Sequence, residues 1–227
     1  MLIEKIDKDV LLKPLQTIIG IVERKQPLPI LSNVLIEGMD DHLRFMSTDL
    51  EIQITTQIQS SARSGKDSTI TVGAKKFFDI LKVLPEGSKV SLETKENRLQ
   101  VKANRSRFSL QTLPAQDFPR VLEQHEYAEK VFASQGQIKK QINLVQYAMA
   151  QQDIRYYLNG VLLVVENDEL KLIATDGHRL AYTSTRLDRS YQKRDVILPR
   201  KTINELGKLL QENDDPVSIE LSDNQVR

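Results

Sequence analysis

The segment ATDGHRLA, residues 174–181, brings together side chains that could take part in acid–base chemistry. Asp176 could orient the imidazole of His178, which would then act as a general base, with Arg179 beside it. The two other histidines, His42 and His125, complete no spacing that is typical of a metal site. An enzyme that uses Asp176 and His178 is therefore one hypothesis for this chain.

Other signatures of catalysis or cofactor binding are missing from the sequence. No GxSxG segment marks a nucleophile elbow. The Ser-Gly-Lys run at 64–66 ends like a phosphate-binding loop, but Ser60 stands where the first glycine belongs and Asp67 where Ser or Thr belongs. The chain has no cysteine, which excludes disulfides and thiolate chemistry. We therefore expect no metal and no cofactor.

The composition indicates a globular protein of about two domains. Its 227 residues are 40% hydrophobic and 28% charged, and 32 basic residues face 31 acidic ones, for a net charge of +1. Such neutrality argues against a nucleic-acid binder, which usually has a basic excess. The N-terminal segment MLIEKIDKDVLLK has charges where a signal peptide needs an apolar run, and no segment is suited to cross a bilayer. We expect a cytoplasmic protein that does not bind membranes.

The opening segment has a counterpart in the first half of the chain. Residues 33–56 and 159–185 both contain an apolar strand, an acidic turn, an alternating strand, a Thr-Asp pair and a third strand. Thr48 and Asp49 match Thr175 and Asp176 at an offset of 127 residues. The match continues between 8–22 and 135–150, 69–84 and 195–210, and 89–101 and 216–227. A second interpretation follows: both aspartates end strands in equivalent turns, with Gly177 supplying a permissive backbone.

Each repeat predicts a β-α-β-β-β-β-α-β-β unit, with helical apolar spacing at 7–25, 74–84, 136–150 and 199–210. Two helices cannot wrap a sheet, so the predicted class is α+β, with two helices on one face of antiparallel sheets. We expect a complete first domain at 1–120, a linker at 121–129 within the proline- and charge-rich segment 113–129, and a second domain at 130–227. The second repeat stops roughly twenty residues earlier than the first, which predicts an incomplete domain in a fragment of a longer protein.

The predicted helices carry an excess of basic over acidic residues. They contain 12 basic and five acidic residues, a net charge of +7, so the rest of the chain carries −6. If the helices share one face, that face is basic and the sheet behind it is acidic, which attracts a phosphate backbone to one side without reading its sequence. The alternative is that these lysines belong to an ordinary solvated surface.

Four segments, in order and with matching spacing, resemble the bacterial sliding clamp family, the β subunit of DNA polymerase III. They are RSRFSLQTLPAQDFPR (105–120), QQDIRYYLNG (151–160), ATDGHRLA (174–181) and LPRK (198–201). The resemblance implies a DNA clamp fold with three such units per protomer, of which the third is absent here. It also implies that two full-length protomers form a head-to-tail homodimer around double-stranded DNA. Such a ring slides through weak contacts and raises the effective concentration of the attached polymerase at the primer end.

The resemblance also implies partners and a site for them. The partners are the polymerase III alpha subunit, the clamp-loader delta subunit and repair proteins with a clamp-binding motif, each of which inserts a short peptide into a groove. Carried over by position, one wall of that groove consists of Leu158, Thr175, Gly177, His178, Arg179 and Leu180. The two leucines would supply apolar contact, and Thr175 and Arg179 the polar rim. The opposite wall would come from beyond residue 227, and no intrinsic catalysis is implied.

Two loops and one helix start supply the predicted DNA contacts. These are Arg24, Lys25, Gln152, Arg155, Tyr156, Tyr157, Arg200 and Lys201. Charged and aromatic groups at loop tips can contact phosphates or stack on exposed bases. The alternative for Tyr156 and Tyr157 is the start of a strand, with one buried and the other exposed. Arg200 and Lys201 oppose the helix dipole, which indicates a role other than helix stability.

A protein scaffold that never contacts DNA is the third hypothesis. It predicts no salt-sensitive, sequence-independent DNA binding, whereas the clamp predicts both. The enzyme hypothesis predicts a turnover that is abolished by His178→Ala. The clamp hypothesis depends on one structural proposition, which is that the basic helices of both repeats line a common surface.

Overall fold

The computed structural model describes residues 2–23, 28–39, 41–59, 68–121, 129–222 and 225–227. The chain forms two compact units, Met1–Val121 and Leu122–Arg227, each with its own hydrophobic core. Antiparallel strands and two α-helices in each unit confirm the predicted α+β class.

Among its described residues, the first unit has eight strands and two α-helices. Its strands are β1 (Leu2–Asp7), β2 (Asn33–Gly38), β3 (His42–Thr48), β4 (Gln53–Gln59), β5 (Ser68–Gly73), β6 (Lys89–Lys95), β7 (Arg98–Ala103) and β8 (Ser106–Leu113), and its helices are α1 (Lys8–Ile18) and α2 (Ala74–Val83). The strands form one antiparallel sheet in the order β1-β6-β7-β8-β5-β2-β3-β4. The order of elements follows the predicted unit, and β8 lies in the part of the first repeat that has no counterpart in the second.

Both helices of the first unit pack against the same core. α1 buries Leu11, Leu15 and Ile18, which lie on one side because they are four and three residues apart. α2 buries Phe77 and Leu81 in the same way, and all five join the inward-facing residues of the strands in one cluster. The predicted helix at 7–25 is shorter than expected. α1 ends at Ile18 in a single 3-10 turn, Ile19–Ile21.

The sheet face that points away from these helices is not acidic, so the prediction of an acidic sheet is wrong for β6, β7 and β8. On these strands Val90, Leu92, Leu99 and Val101 alternate inward. The outward positions of the three strands carry Lys89, Lys95, Arg98, Lys102 and Arg107, against the single acid Glu93. The negative charge of this unit lies instead in turns, at residues such as Asp41, Glu86 and Glu96.

The outer face of the other half of the sheet is covered by the end of the first unit. Phe118 is buried with Ile30, Leu35 and Met46 in a small separate cluster. Arg120 Nη2 lies 2.6 Å from Glu37 Oε1 on β2. The first part of the segment 113–129 therefore packs on the sheet, and the predicted linker at 121–129 lies outside the described residues from 122 to 128.

In the part that the structure describes, the second unit contains four strands and two α-helices. They are β9 (Glu129–Ser134), α3 (Gln135–Val145), β10 (Gly160–Thr175), β11 (Leu180–Pro199), α4 (Arg200–Leu209) and β12 (Pro216–Leu221). β10 pairs with β11 and β9 with β12, both antiparallel. Ser134 and Gln137 form a capping box that begins α3, and Ile138, Ile142 and Val145 carry its buried side into the core.

The second unit differs from the prediction at the acidic segment 166–169. A turn was expected there, but β10 runs through it with Asn167 at a φ of 54°. The two strands stay paired because β11 bulges as well. Asn167 pairs with Tyr191 and Glu169 with Arg186, so the extra residues of β11 loop out between Arg186 and Tyr191. β11 likewise runs without a break from the matching segment 159–185 into the next one, 195–210.

One lysine side chain in each unit caps the C-terminus of the second helix of that unit. Lys8 Nζ donates to the carbonyl oxygen of Leu84 at 2.7 Å, and Lys139 Nζ donates to that of Leu210 at 3.0 Å. Leu84 and Leu210 are the C-cap residues of α2 and α4, whose carbonyl groups no helix N–H can satisfy. Two of the cations counted toward a basic helical face therefore have structural roles. That the helices of both repeats line a common surface stays a prediction.

In the described part of the chain, none of the helices combines the length and hydropathy needed to span a bilayer.

Candidate functional site

The residues Thr175 to Arg179 form a tight turn between β10 and β11. Thr175 Oγ1 accepts a hydrogen bond from the N–H of Gly177 at 3.1 Å. Asp176 Oδ1 accepts from the N–H groups of His178 and Arg179, each at 3.0 Å. Gly177 has a φ of 88°, in the left-handed region that favours glycine.

The first repeat contains the same turn with different side chains. Thr48 Oγ1 accepts from the N–H of Leu50 at 3.0 Å. Asp49 Oδ1 accepts from Glu51 at 3.1 Å and from Ile52 at 2.8 Å. Leu50, at the position of Gly177, has a φ of 82°. The interpretation of Asp49 and Asp176 as residues that end strands in equivalent turns is confirmed.

The Asp176 carboxylate is used by this turn and does not orient an imidazole. The N–H groups of His178 and then Arg179 lower the pKa of Asp176, and the Arg179 side chain lowers it further, with Nε 2.9 Å from Oδ2. The bond to His178 runs to its backbone, and the side chain of His178 is exposed. Across the described ranges, no group of three or more His, Asp or Glu side chains could hold a metal ion.

The Arg179 side chain also lies over an aromatic ring. Its guanidinium carbon is 5.4 Å from the ring centroid of Tyr147, which belongs to the 3-10 turn Gln146–Ala148 after α3. Tyr147 is 58% exposed, so the stack is on the surface. A cation at this distance from a ring face is attracted by the ring quadrupole.

The loop between α3 and β10 is held by a carboxylate of its own. Asp153 Oδ1 accepts from the N–H of Arg155 at 2.8 Å, and the two Asp153 oxygens receive Nε and Nη2 of Arg155 at 3.1 and 2.9 Å. These bonds, the side-chain ones first, lower the pKa of Asp153 to about 2. Asn159 closes the loop, because its side chain accepts from the N–H of Asp153 and donates to the Asp153 carbonyl, both at 2.9 Å.

This arrangement brings a predicted DNA contact to the predicted peptide wall. A Cβ atom built on Gly177 would lie 3.2 Å from Nη2 of Arg155. The guanidinium of Arg155 therefore lies against the Gly177 turn. The sequence predicted Arg155 at a loop tip but gave no sign of this contact with Gly177. A side chain at position 177 would therefore meet the Arg155 guanidinium in addition to taking a left-handed backbone.

Tyr156 and Tyr157 are both on the surface, so the alternative of one buried and one exposed tyrosine is wrong. They belong to a 3-10 turn, Tyr156–Leu158, in which side chains do not alternate as they do in a strand. Tyr156 is 82% and Tyr157 50% exposed, and their rings meet edge to face at 5.9 Å. Gln152 is exposed on the same loop, as is Ile154.

The two leucines of the predicted wall differ in exposure. Leu158 is buried, with 8% of its surface exposed, whereas Leu180 is 65% exposed at the start of β11. Tyr182, two residues further along the same side of β11, is 55% exposed. Leu180 and Tyr182 therefore supply the exposed apolar surface beside the turn, whereas Leu158 is buried.

Arg200 attaches α4 to both ends of the loop that carries the tyrosines. Its Nη1 donates to the carbonyl oxygens of Met149 at 3.1 Å and Ala150 at 2.9 Å, and its backbone N–H donates to Asn159 at 2.9 Å. This contact accounts for a cation at the start of a helix, where the dipole disfavours it. Lys201 follows on α4 and is partly buried. The DNA contacts assigned to Arg24 and Lys25 lie outside the described residues.

Sequence reasoning missed Tyr147 and Asp153. The Asp-x-Arg spacing of residues 153–155 could have revealed Asp153, because aspartate commonly accepts from a backbone N–H two positions later. No local signal could have revealed Tyr147, which meets Arg179 from 32 residues earlier in the chain.

Comparisons with known proteins cover nearly the whole chain. Family models of the DNA polymerase III beta subunit match it in order, the N-terminal domain at residues 4–122 and the central domain at residues 133–227. The chain is 44% identical to the beta sliding clamp of Pseudomonas aeruginosa and 39% identical to that of Escherichia coli K12, over 98% of its length in each case. It spans 60% of the length of these two relatives.

Solved structures give the same result. The DNA polymerase III subunit beta of Pseudomonas aeruginosa superposes with a TM-score of 0.94 at 42% identity, covering 100% of this chain and 61% of that one. A sliding clamp of the same organism bound to griselimycin has a TM-score of 0.92 at 43% identity, with the same coverage.

Proposed function

The chain belongs to the DNA polymerase III beta subunit family, and we propose that it forms part of a sliding clamp that keeps the replicative polymerase on duplex DNA. The observation that carries the proposal is the similarity of the whole chain to solved clamps, with a TM-score of 0.94 over 100% of its length. The chain spans 60% of its relatives' length, so ring closure as a head-to-tail homodimer belongs to the full-length protein.

A closed ring needs only weak contacts with DNA, because it cannot leave the duplex sideways. Exposed helix lysines such as Lys13, Lys76, Lys82 and Lys140 suit that task, since they attract phosphates without reading bases. The surface loop with Gln152, Tyr156 and Tyr157 adds polar and aromatic groups for phosphates or exposed bases.

The turn at Gly177 and the start of β11 suit a peptide-binding wall. The turn is held by its own hydrogen bonds before any ligand arrives, which lowers the ordering cost of binding. Leu180 offers exposed apolar surface, while Thr175, His178 and Arg179 lie at its rim. The proposed ligands are peptides of the polymerase III alpha subunit, the clamp-loader delta subunit and repair proteins.

The proposal gives this chain no catalytic step. The carboxylate oxygens of Asp176 accept hydrogen bonds from two backbone N–H groups and from the Arg179 side chain. Asp176 therefore does not orient the His178 imidazole as a general base. We expect His178→Ala to weaken peptide binding and to abolish no turnover.

Salt-dependent DNA binding by the full-length protein tests the proposal. We expect sequence-independent binding whose affinity falls steeply with salt, and Lys25→Ala should reduce the slope of log K against log salt by about 1. The matched control is Lys95→Ala, which removes a lysine from the sheet face opposite the helices and should leave the slope unchanged. Binding that is insensitive to salt, or no binding, would favour the scaffold hypothesis.

A further inference from the structure

We propose that Tyr147 is a positioning residue of the peptide-binding wall, which fixes the Arg179 guanidinium at its rim. The inference rests on the proposed function for its consequence in peptide binding. The geometry on which it stands does not depend on the ligand.

Two groups from different elements hold the Arg179 side chain. Asp176 Oδ2 takes Nε at 2.9 Å, and the Tyr147 ring lies 5.4 Å from the guanidinium carbon. The Arg179 side chain still keeps 57% of its surface exposed. Within the described ranges, no protein group accepts from its two Nη atoms, so they remain able to donate to a ligand.

The first repeat shows that the fold of the turn does not require this stack. At the 127-residue offset, Gly20 stands at the position of Tyr147 and Ile52 at that of Arg179. The backbone turn nevertheless forms with the same hydrogen bonds to Asp49. Tyrosine and arginine together are therefore an addition of the second repeat, beyond what the turn needs to fold.

The held arginine suits a defined ligand chemistry. A guanidinium held at Nε by a carboxylate and beside an aromatic ring keeps its Nη groups for planar acceptors such as a peptide carbonyl or a carboxylate. Leu180, 65% exposed, follows Arg179 directly. The wall therefore fits a short peptide in which an acceptor group flanks an apolar side chain.

Paired substitutions in the full-length protein test this role, with two probes: griselimycin and a synthetic peptide from the polymerase III alpha subunit. Tyr147→Leu removes the ring and should weaken both probes by about 2- to 5-fold, the range for a surface cation–π contact. Tyr147→Phe keeps the ring and should bind within about 2-fold of the wild type. Wild-type affinity in Tyr147→Leu, or an equal loss in Tyr147→Phe, would overturn the inference.

Substitution of Arg179 gives a second test, which stays informative even if Tyr147→Leu folds poorly. Arg179→Lys keeps the charge but loses the planar guanidinium and its Nη donors, and it should weaken binding by a similar factor of about 2 to 5. In an Arg179→Ala background, Tyr147→Leu should change affinity by less than about 1.5-fold, because the tyrosine acts through the arginine. Additive losses would mean that Tyr147 does not act through Arg179.

A ligand-free measurement separates this inference from the proposed function. The ring current of Tyr147 should shift the NMR resonance of Arg179 Nε–Hε in the wild type, and Tyr147→Leu should return it toward the ordinary arginine position. If the resonance does not move, the positioning role is wrong whether or not peptides bind. If the wild type binds neither probe, the proposed peptide site fails, and the resonance alone decides the role of Tyr147.

Discussion

Lys139 and Lys140 are adjacent on α3, and the structure gives them different tasks. Lys139 is partly buried and donates to the carbonyl oxygen of Leu210, which ends α4. Lys140 is exposed. Substituting each by methionine removes the charge and keeps most of the unbranched side chain, so the two variants separate structural from electrostatic roles at neighbouring positions.

The expected stability loss follows from the hydrogen bond. A bond from a charged donor contributes roughly 1.5–3 kcal/mol when buried, and a cation at a helix C-terminus adds about 0.3–1 kcal/mol. Water can replace part of this at a partly buried site, so Lys139→Met should cost the second unit about 1–2 kcal/mol. Lys140→Met should stay within about 0.5 kcal/mol.

Hydrogen exchange measures the second unit separately from the first. In Lys139→Met, the slowest amides of the second-unit core, such as those of Val161 and Leu172, should exchange about 5- to 30-fold faster. DNA affinity should change only in Lys140→Met, with a salt slope lower by about 1. The reasoning is refuted if Lys140→Met destabilises the unit as much as Lys139→Met, or if Lys139→Met alone reduces the salt slope.

Further predictions concern the turns and the end of the first unit. Gly177→Ala should cost the second unit about 1 kcal/mol by hydrogen exchange, whereas Leu50→Gly should not destabilise the first, because glycine removes left-handed strain there. A larger loss in Leu50→Gly would contradict this. The Asp153 carboxyl should titrate at about 2 by NMR, so its stabilising contribution is present above its ordinary pKa of 3.8 and lost as pH falls through about 2. A titration midpoint near 3.8 would be inconsistent with the paired hydrogen bonds from Arg155 to the Asp153 carboxylate. Phe118→Ala should destabilise the first unit by about 3 kcal/mol in urea unfolding, against less than about 0.5 kcal/mol for the 76%-exposed Val83→Ala. Equal losses in the two variants would show that Phe118 is not packed on the sheet in solution.

The repeat made much of the fold accessible from sequence. Helical spacing and alternation are local patterns, and the Thr-Asp turns depend on bonds between residues at most four positions apart. The equivalence of Asp49 and Asp176 could therefore be predicted. The bulges of β10 and β11 could not, because they depend on how two strands compensate for each other at Asn167.

Roles that depend on distant contacts were not accessible. Lys8 and Lys139 both cap a helix C-terminus, yet they are not at matching repeat positions. The residue 127 positions after Lys8 is Gln135. Only the three-dimensional reach of each amine identifies them. The stack of Arg179 on Tyr147 and the cover of Arg155 over Gly177 likewise join separate elements.

The charge of the sheet face was readable in principle. Strand alternation places Lys95, Arg98 and Lys102 outward, but a total for all residues outside the helices merges strands with turns. Among the described residues, the acids outside the helices lie in strands about as often as in turns, so the sum described the composition and not the surface. Residue-by-residue alternation is the better predictor.

The retention of the loaded full-length protein on circular and linear DNA is the most direct test of the proposed clamp. After loading onto nicked circular DNA, a ring should stay bound at high salt, because its retention is topological and phosphate contacts are screened. It should leave when a single cut makes the same DNA linear, since the ring can then slide off an end. Equal retention on circular and linear DNA at high salt would contradict encirclement.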